Sequence, residues 1–338
     1  MDLNISSKSE VPKYQQLVDA IGHAIAKNTL SVGMRLPSVN ELSKKENLSR
    51  DTIVKAYELL KEQGMIDSVP AKGYFVSGNT KKVLLFLDTL KAYKEVLYHA
   101  FVGNLPENFI VEVQFHHYHV ENFKNIVESS LGKYYKYVIM PFDDPKVTAA
   151  LKKLPEERLL LIDSGNYPNA QNHRIYQDFA QSFNDCLEKA LQPLKKYQKL
   201  CFVYPKHTHH PKISLSIFEK FAVDNDFEHQ IIYDIKDFKP SKNTAYISVS
   251  DQFLGILLEE AKKQNLDIGK DIGILSYNET PMKKFIYKGI SVISTDFKKM
   301  GEKGAEFVCG SQDMSFKDLE NQKLNLKIPT QLILRDSL

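Results

Sequence analysis

From Val83 onward, short apolar runs rich in β-branched residues alternate with stretches of helical period, and this alternation constrains the fold more than any other feature. The runs are Val83–Leu87, Ile110–Phe115, Tyr137–Met140, Leu159–Ile162, Leu200–Val203, His229–Tyr233, Thr244–Val249 and Ile272–Leu275. Helical patterns lie between most of them, for example Gln181–Leu191, Ile213–Asn225 and Gln252–Asn265. Strands alternating with helices predict parallel sheets covered on both faces, and a segment of this length predicts two such lobes. The pattern before Ser77 is different, with short amphipathic helices and no long strand. The junction Ser77-Gly78-Asn79-Thr80-Lys81-Lys82 is polar and turn-prone, as linkers are. The expected division is therefore a small domain over 1–77, a linker over 78–82 and a large α/β domain over 83–338.

In the first domain Tyr14, Leu17, Val18, Ile21 and Ile25 recur at helical spacing. Ser38-Val39-Asn40-Glu41 is a capping box opening a short helix to about Glu46, with Pro37 fixing the chain's entry. Ser49 can cap a third helix whose apolar stripe is Ile53, Tyr57 and Leu60 and which ends at Gly64. Met65–Ser68 and Tyr74–Val76 then read as a hairpin around Pro70-Ala71-Lys72-Gly73. Three helices and a hairpin make a winged helix-turn-helix, which presents a helix and has no room for a catalytic pocket. Arg50, Thr52 and Lys55 lie on the third helix opposite its apolar stripe, as groups that reach base edges or phosphates do. Arg35 and Lys72 would flank that helix. Asp51 and Lys55 could equally form an ordinary i,i+4 pair on a solvated face. Charge does not decide, because residues 1–80 carry 10 basic and 9 acidic side chains.

Composition narrows the remaining classes. The 338 residues are 43% apolar and 26% charged, with a formal charge of +3, so bulk charge names no partner. No apolar run approaches the ~18 residues of a membrane helix, and Met1–Glu10 lacks the apolar middle of a signal peptide. Cys186, Cys201 and Cys309 are widely separated, which argues against a disulfide scaffold or zinc finger and fits a cytoplasmic protein.

Gly33-Met34-Arg35-Leu36-Pro37-Ser38, Glu41-Leu42, Leu48 through Ala56, Leu60, Gln63-Gly64 and Lys72-Gly73-Tyr74-Phe75-Val76 resemble the GntR family of bacterial transcription regulators, in unbroken register over about residues 11–77. The resemblance implies a third helix in the major groove and a wing in the minor groove. Its DNA contacts fall on Arg35, Ser38, Ser49, Arg50, Thr52, Lys55, Lys72 and Gly73. Lys55 stands where an arginine is usual, and lysine lacks the bidentate fork, which leaves it a phosphate contact. Toward the C-terminus, Ala245–Gly255, Asp271–Glu279, Gly289–Ile293, Met300–Ala305 and Ile328–Ser337 resemble the effector domain of LacI-type repressors and periplasmic sugar-binding proteins. The combination is similar to regulators of the arabinose-repressor type and to fucose-responsive regulators of Bacteroides-like bacteria. It implies lobes over about 83–192 with 290–321 and about 199–289 with 322–338, and a monosaccharide bound between them at the carboxyl ends of the strands.

Candidate effector residues follow those strand ends. In the first lobe they are Asp88, Tyr93, Phe142, Asp143 and Asp163; in the second they are His207, His209, Lys212, Ser250, Asp251 and Asn278, with His210 beside them. Asn278 stands where an aspartate is usual, and Ser250 where an asparagine is common. Asp251 has a second reading, as the cap of the following helix. Neither His116-His117-Tyr118-His119 nor His207-Thr208-His209-His210 has a helical i,i+4 histidine pair, so no metal is expected, and no cofactor. The expected protein is a cytoplasmic, homodimeric, sugar-responsive regulator of operator DNA, a repressor and not an enzyme. Its rivals are a DNA-tethered sugar-modifying enzyme, for which no glycine-rich phosphate motif appears, and a DNA-bound interaction module with no small ligand.

Overall fold

The computed structural model describes residues 5, 6, 9, 11–26, 29–78, 81–163, 172–236, 238–310 and 323–338. Among these, helices α1 (Lys13–Ala26), α2 (Val39–Glu46) and α3 (Arg50–Glu62) precede the antiparallel hairpin β1 (Ile66–Val69) and β2 (Gly73–Val76). The capping box is formed as expected: Ser38 Oγ accepts from the Glu41 N–H at 3.3 Å and Glu41 accepts from the Ser38 N–H at 2.6 Å. Asn47, left-handed at φ 51°, ends α2, and Ser49 caps α3 by accepting from the Thr52 N–H. One core of Leu17, Val18, Ile21, Leu42, Ile53, Tyr57, Leu60 and Val76 holds these elements together. The Tyr57 hydroxyl donates to the Pro37 carbonyl at 2.7 Å and so ties α3 to the entry of α2. Arg35 bridges Phe75 and widens the wing.

The rest of the chain continues as β3 (Lys81–Leu87), α4 (Ala92–Gly103), β4 (Phe109–Phe115), α5 (Val120–Ser130), β5 (Lys136–Ile139), α6 (Pro145–Leu151), a 3₁₀ turn (Glu156–Arg158), β6 (Leu159–Asp163), β7 (His173–Gln177), α7 (Gln181–Leu194), β8 (Lys199–Val203), α8 (Ile213–Asp224), β9 (Glu228–Ile232), β10 (Thr244–Ser248), α9 (Asp251–Lys263), β11 (Ile272–Tyr277), a 3₁₀ turn (Pro281–Lys284), β12 (Ser291–Thr295), α10 (Phe297–Cys309), β13 (Asn325–Ile328) and β14 (Thr330–Ile333). Two six-stranded sheets result, ordered β13-β7-β6-β5-β3-β4 and β14-β12-β11-β10-β8-β9. Pairing through β6-β5-β3-β4 and β12-β11-β10-β8-β9 is parallel, and β14 joins β12 antiparallel. The parallel strands β10, β11 and β12 are buried along their whole length, which suits the apolar runs of β10 and β11, while β12 (Ser-Val-Ile-Ser-Thr) also buries its small hydroxyl residues. The end of the chain is stitched into the second sheet: Ser337 Oγ accepts from the Ser291 N–H at 2.7 Å and donates to the Ile274 carbonyl at 2.8 Å.

The described chain forms two compact units, residues 1–90 with 102–174 and 304–324, and residues 91–101 with 175–303 and 325–338. The winged helix therefore belongs to the same unit as β3 to β6. This division differs from the sequence expectation in α4 through Phe101, most of β7, α7, β12 and the start of α10, which belong to the second unit. Phe183, Cys186, Leu187 and Ala190 of α7 pack in one core with Leu200 and Phe202 of β8. Lys81 and Lys82, expected in the linker, already pair with β4; Asn79, Thr80 and residues 311–321 lie outside the described residues. The strands β7, β12, β13 and β14 and the reach of α7 through Pro193 were not anticipated.

Candidate functional site

On the winged helix, Arg50 and Lys55 are exposed, and Lys72 is exposed at the wing turn. The expected DNA-contact residues divide in two by their local chemistry. Ser38 and Ser49 spend their hydroxyls on helix caps, and Thr52 Oγ1 lies 2.8 Å from Ser49 Oγ. Their side chains set the start of each helix, while the Arg50 side chain stands exposed. Lys55 Nζ sits 3.8 Å from the centroid of the Tyr14 ring, a cation–π contact that holds the ammonium against α1. Gly73 has φ +106°, a conformation strained for any side chain, and a Cβ there would meet the Arg35 guanidinium at 3.5 Å. The positive φ, and not the space beside Arg35, is what calls for glycine here.

In the first unit the strand ends gather an aromatic cluster around His116. Its ring is fully buried, its Nδ1 accepts from the Tyr118 N–H at 3.1 Å, and its Nε2 lies 2.9 Å from the Met140 carbonyl. Those partners require the tautomer with the proton on Nε2. The Phe142 ring stacks on His116 with centroids 5.0 Å apart, and Phe86 and Phe123 close the cluster. His117 and Tyr118 both have positive φ, 51° and 58°, an uncommon backbone for bulky residues that surrounding contacts must hold. One such contact is the Tyr118 hydroxyl donating to the buried Asp88 carboxylate, which also accepts from the Thr89 N–H. Burial, followed by the nearby Asp163 carboxylate, pushes the Tyr118 hydroxyl pKa upward. Asp163 ends β6 at φ 72°, and Asp143 is exposed beside Asp144, which caps α6. His119 Nδ1 accepts from the Asn122 N–H and caps α5. Among the described residues no group of three or more His, Cys, Asp or Glu side chains is arranged to hold a metal ion.

The second unit assembles a different set. Tyr93 follows β3 as the second residue of α4, with its ring 4.5 Å from Phe297. Ser250 caps α9 by accepting from the Phe253 N–H, which leaves the Asp251 carboxylate available. Asp251 pairs at 2.7 Å with Lys283 Nζ. Lys283 is only 2% exposed and also donates to the carbonyls of Tyr277 (2.9 Å) and Asn278 (2.7 Å), so its three donors are all used. Burial lowers its pKa, with Asp251 opposing. Asn278 takes a left-handed conformation at φ 61°, and its Oδ1 is buried with no hydrogen-bond partner among the described residues. Ser276 Oγ, two residues earlier, is in the same condition, and so is His210 Nε2. The His210 ring meets Tyr277 edge-on at 4.6 Å, and burial, with Lys91 adding, drives its pKa down to about 3. His207, His209 and Lys212 are exposed. The sequence reading missed Lys283 altogether, because its partners Asp251 and Tyr277 are assembled only by the sheet.

Residues 13–76 match the family of bacterial regulatory proteins called gntR. Over this region the chain is similar to the HTH-type transcriptional repressor YtrA of Bacillus subtilis (strain 168), at 30% identity across 25% of this chain and 64% of that protein. It is also similar to the uncharacterized HTH-type transcriptional regulator YdcR of Escherichia coli (strain K12), at 37% identity across 21% of this chain and 15% of that protein. The chain thus spans less than two thirds of each of these relatives. Among solved structures, the dimeric Lac repressor with an 11-residue C-terminal deletion aligns with a TM-score of 0.62 at 16% identity, over 76% of this chain and 98% of that one. A LacI family regulator from Arthrobacter sp. FB24 in complex with lactose aligns at 0.60 and 12% identity, over 76% and 98%. One from Enterococcus faecium with bound ribose aligns at 0.59 and 13%, over 76% and 98%. At these identities the likeness is one of fold. The chain is a gntR-type winged helix followed by a LacI-like α/β fold of two parallel sheets.

Proposed function

We propose that the protein is a sugar-responsive transcriptional regulator, a cytoplasmic homodimeric repressor that leaves its operator when a monosaccharide binds. The observation that carries the reading is the union, in one chain, of a gntR-type DNA-binding domain with the fold of LacI family regulators. Arg50 reads a base edge from the start of α3, while Arg35, Lys55, Lys72 and the bare backbone of Gly73 engage phosphates and the minor groove. A sugar presents hydroxyls and an apolar C–H face. In the second unit Asp251, Asn278, Ser276 and His210 supply hydrogen-bonding groups, and the His210 ring, edge-on to Tyr277, supplies an aromatic surface. Release requires the sugar to favour one arrangement of the protein over another, because a ligand that binds two states equally shifts nothing. L-fucose is the favoured ligand and L-arabinose the next, on the resemblance to regulators of those sugars.

A thermal-shift screen of monosaccharides tests this directly, since a ligand that binds only the folded state raises the melting temperature. The expected result is a rise with one sugar, and loss of a shifted operator band at the same concentration. Turnover of the sugar would indicate an enzyme. Operator binding with no thermal shift by any sugar would indicate an interaction module.

A further inference from the structure

Arg158, at the end of the 3₁₀ turn before β6, is 7% exposed, yet its guanidinium is spent almost wholly on the winged helix. Nη1 donates to Gln63 Oε1 at 3.2 Å, Nη2 donates to the Val18 carbonyl at 3.4 Å, and Nη2 lies 3.4 Å from Asp19 Oδ1. The Gln63 amide completes the contact in the other direction, donating from Nε2 to the carbonyl of Gly132 in the loop before β5. Tyr135, from the same loop, packs against the winged-helix core. Burial raises the Asp19 carboxyl to about 6 although Arg158 opposes the shift, which marks the junction as desolvated.

The sequence of α1 is adapted to this contact. Gly22 sits inside the helix, where glycine weakens helical structure, and a Cβ there would overlap the Arg158 guanidinium. Hydrophobic contact alone lets two surfaces slide. A buried guanidinium whose donors must each find an acceptor permits one register, because any other leaves donors unpaired out of water.

We infer that Arg158 is a docking pin that joins the DNA-binding domain to the lobe of β3 to β6 as one body, so that the recognition helix is carried by that lobe and does not swing on a linker. Arg158 touches no DNA group in this scheme and acts as a positioning residue. Its effect on operator binding rests on the regulatory function proposed above; the docking itself does not.

Two head-to-lobe variants read the pin from opposite sides, Arg158→Gln and Gly22→Ala. Spin labels placed by Lys44→Cys and Lys152→Cys, in a Cys309→Ser background, report the separation of the two parts in the full chain. One narrow distance distribution is expected for the parent protein and a clearly broadened one for both variants, with circular dichroism unchanged. A distribution as narrow in both variants as in the parent, or loss of folded structure in both, would overturn the pin, the latter because Arg158 would then be an ordinary core residue. The second measurement uses a pseudo-palindrome selected from random duplex by the parent protein, together with its isolated half-site. The variants are expected to lose at least tenfold in affinity for the full site and less than twofold for the half-site, since only the full site requires two heads held in register. Equal loss on both sites, or loss on neither, would refute the positioning role. Failure of the parent protein to select any DNA would refute the regulatory reading while the distance measurement still decides the docking.

Discussion

The DNA-facing surface of the winged helix and the loops after β8 and β11 treat polar groups in opposite ways. In the winged helix, Ser38, Glu41, Ser49 and Thr52 meet their hydrogen bonds within one turn of chain, and Arg50 and Lys72 stand in water. Near β11, Ser276 Oγ, Asn278 Oδ1 and His210 Nε2 are out of water and lack partners among the described residues. The two arrangements suit two kinds of ligand. A polyanion rewards hydrated cations by releasing its own counter-ions. An uncharged sugar gains little from solvated groups, but it can relieve a buried polar atom whose missing partner costs about 1–3 kcal/mol.

Acid should break this contrast most strongly. His210 has a folded-state pKa of about 3 against an ordinary 6.5, so the unfolded chain takes up the proton first. Stability is therefore full above about pH 6.5 and is lost as pH falls toward 3, by up to about 1.4 kcal/mol per pH unit from this group. Denaturant titrations at several pH values should show the slope flattened in His210→Phe. The next largest effect is expected from Lys283→Met, which leaves two carbonyls and the Asp251 carboxylate without their donor. We expect a loss of about 2–4 kcal/mol, tempered by the half-exposed Asp251 side chain. Chemical unfolding checks the figure, and an unchanged midpoint would mean that water replaces the ammonium at no cost.

On the other side of the comparison, Arg50→Ala should cost about 1–3 kcal/mol in operator affinity if it reads a base. Melting temperature and sugar affinity should stay at parental values, because the side chain is exposed. Gel-shift titration beside a thermal melt separates these outcomes. Asn278→Gly is the smallest and sharpest change. Glycine accepts φ 61° without strain, so only the unpaired carboxamide is lost; sugar affinity should fall several-fold while stability holds or rises. An affinity equal to the parent's in a calorimetric titration would remove Asn278 from the ligand site.

What could be read from sequence tracks how local the cause is. The capping box at Ser38, the Ser49 cap and the buried stripe Ile53, Tyr57, Leu60 each depend on residues within a turn or two, and all are present. Most buried strands of both sheets were visible because burial on two faces demands apolar runs; β12 was not, because Ser291, Ser294 and Thr295 leave it only Val292 and Ile293 as apolar residues. The edge strands β13 and β14 were not, since lysine and glutamine interrupt their apolar residues and only sheet pairing makes them strands. Tyr93 follows β3 as expected, but its place as the second residue of α4 could not be read because the turn after β3 is short. Lys283 and Arg158 were invisible for a common reason. Their partners Asp251, Val18 and Gln63 are remote in the chain, and no spacing rule links a lone cation to acceptors that only the tertiary fold collects.

The late pairing of β13 with β7 and of β14 with β12 has a consequence for the order in which the protein is made. Residues 325–333, with only Pro329 between the two strands, provide an edge to each sheet, and Ser337 closes the second. The winged-helix core is complete by Val76. During synthesis at about 5–20 residues per second, that domain clears the ribosome well before either sheet has its last strand. A nascent chain thus completes its winged helix many seconds before its two sheets are finished, and a ribosome stalled near residue 320 would hold a folded winged helix attached to two sheets with open edges.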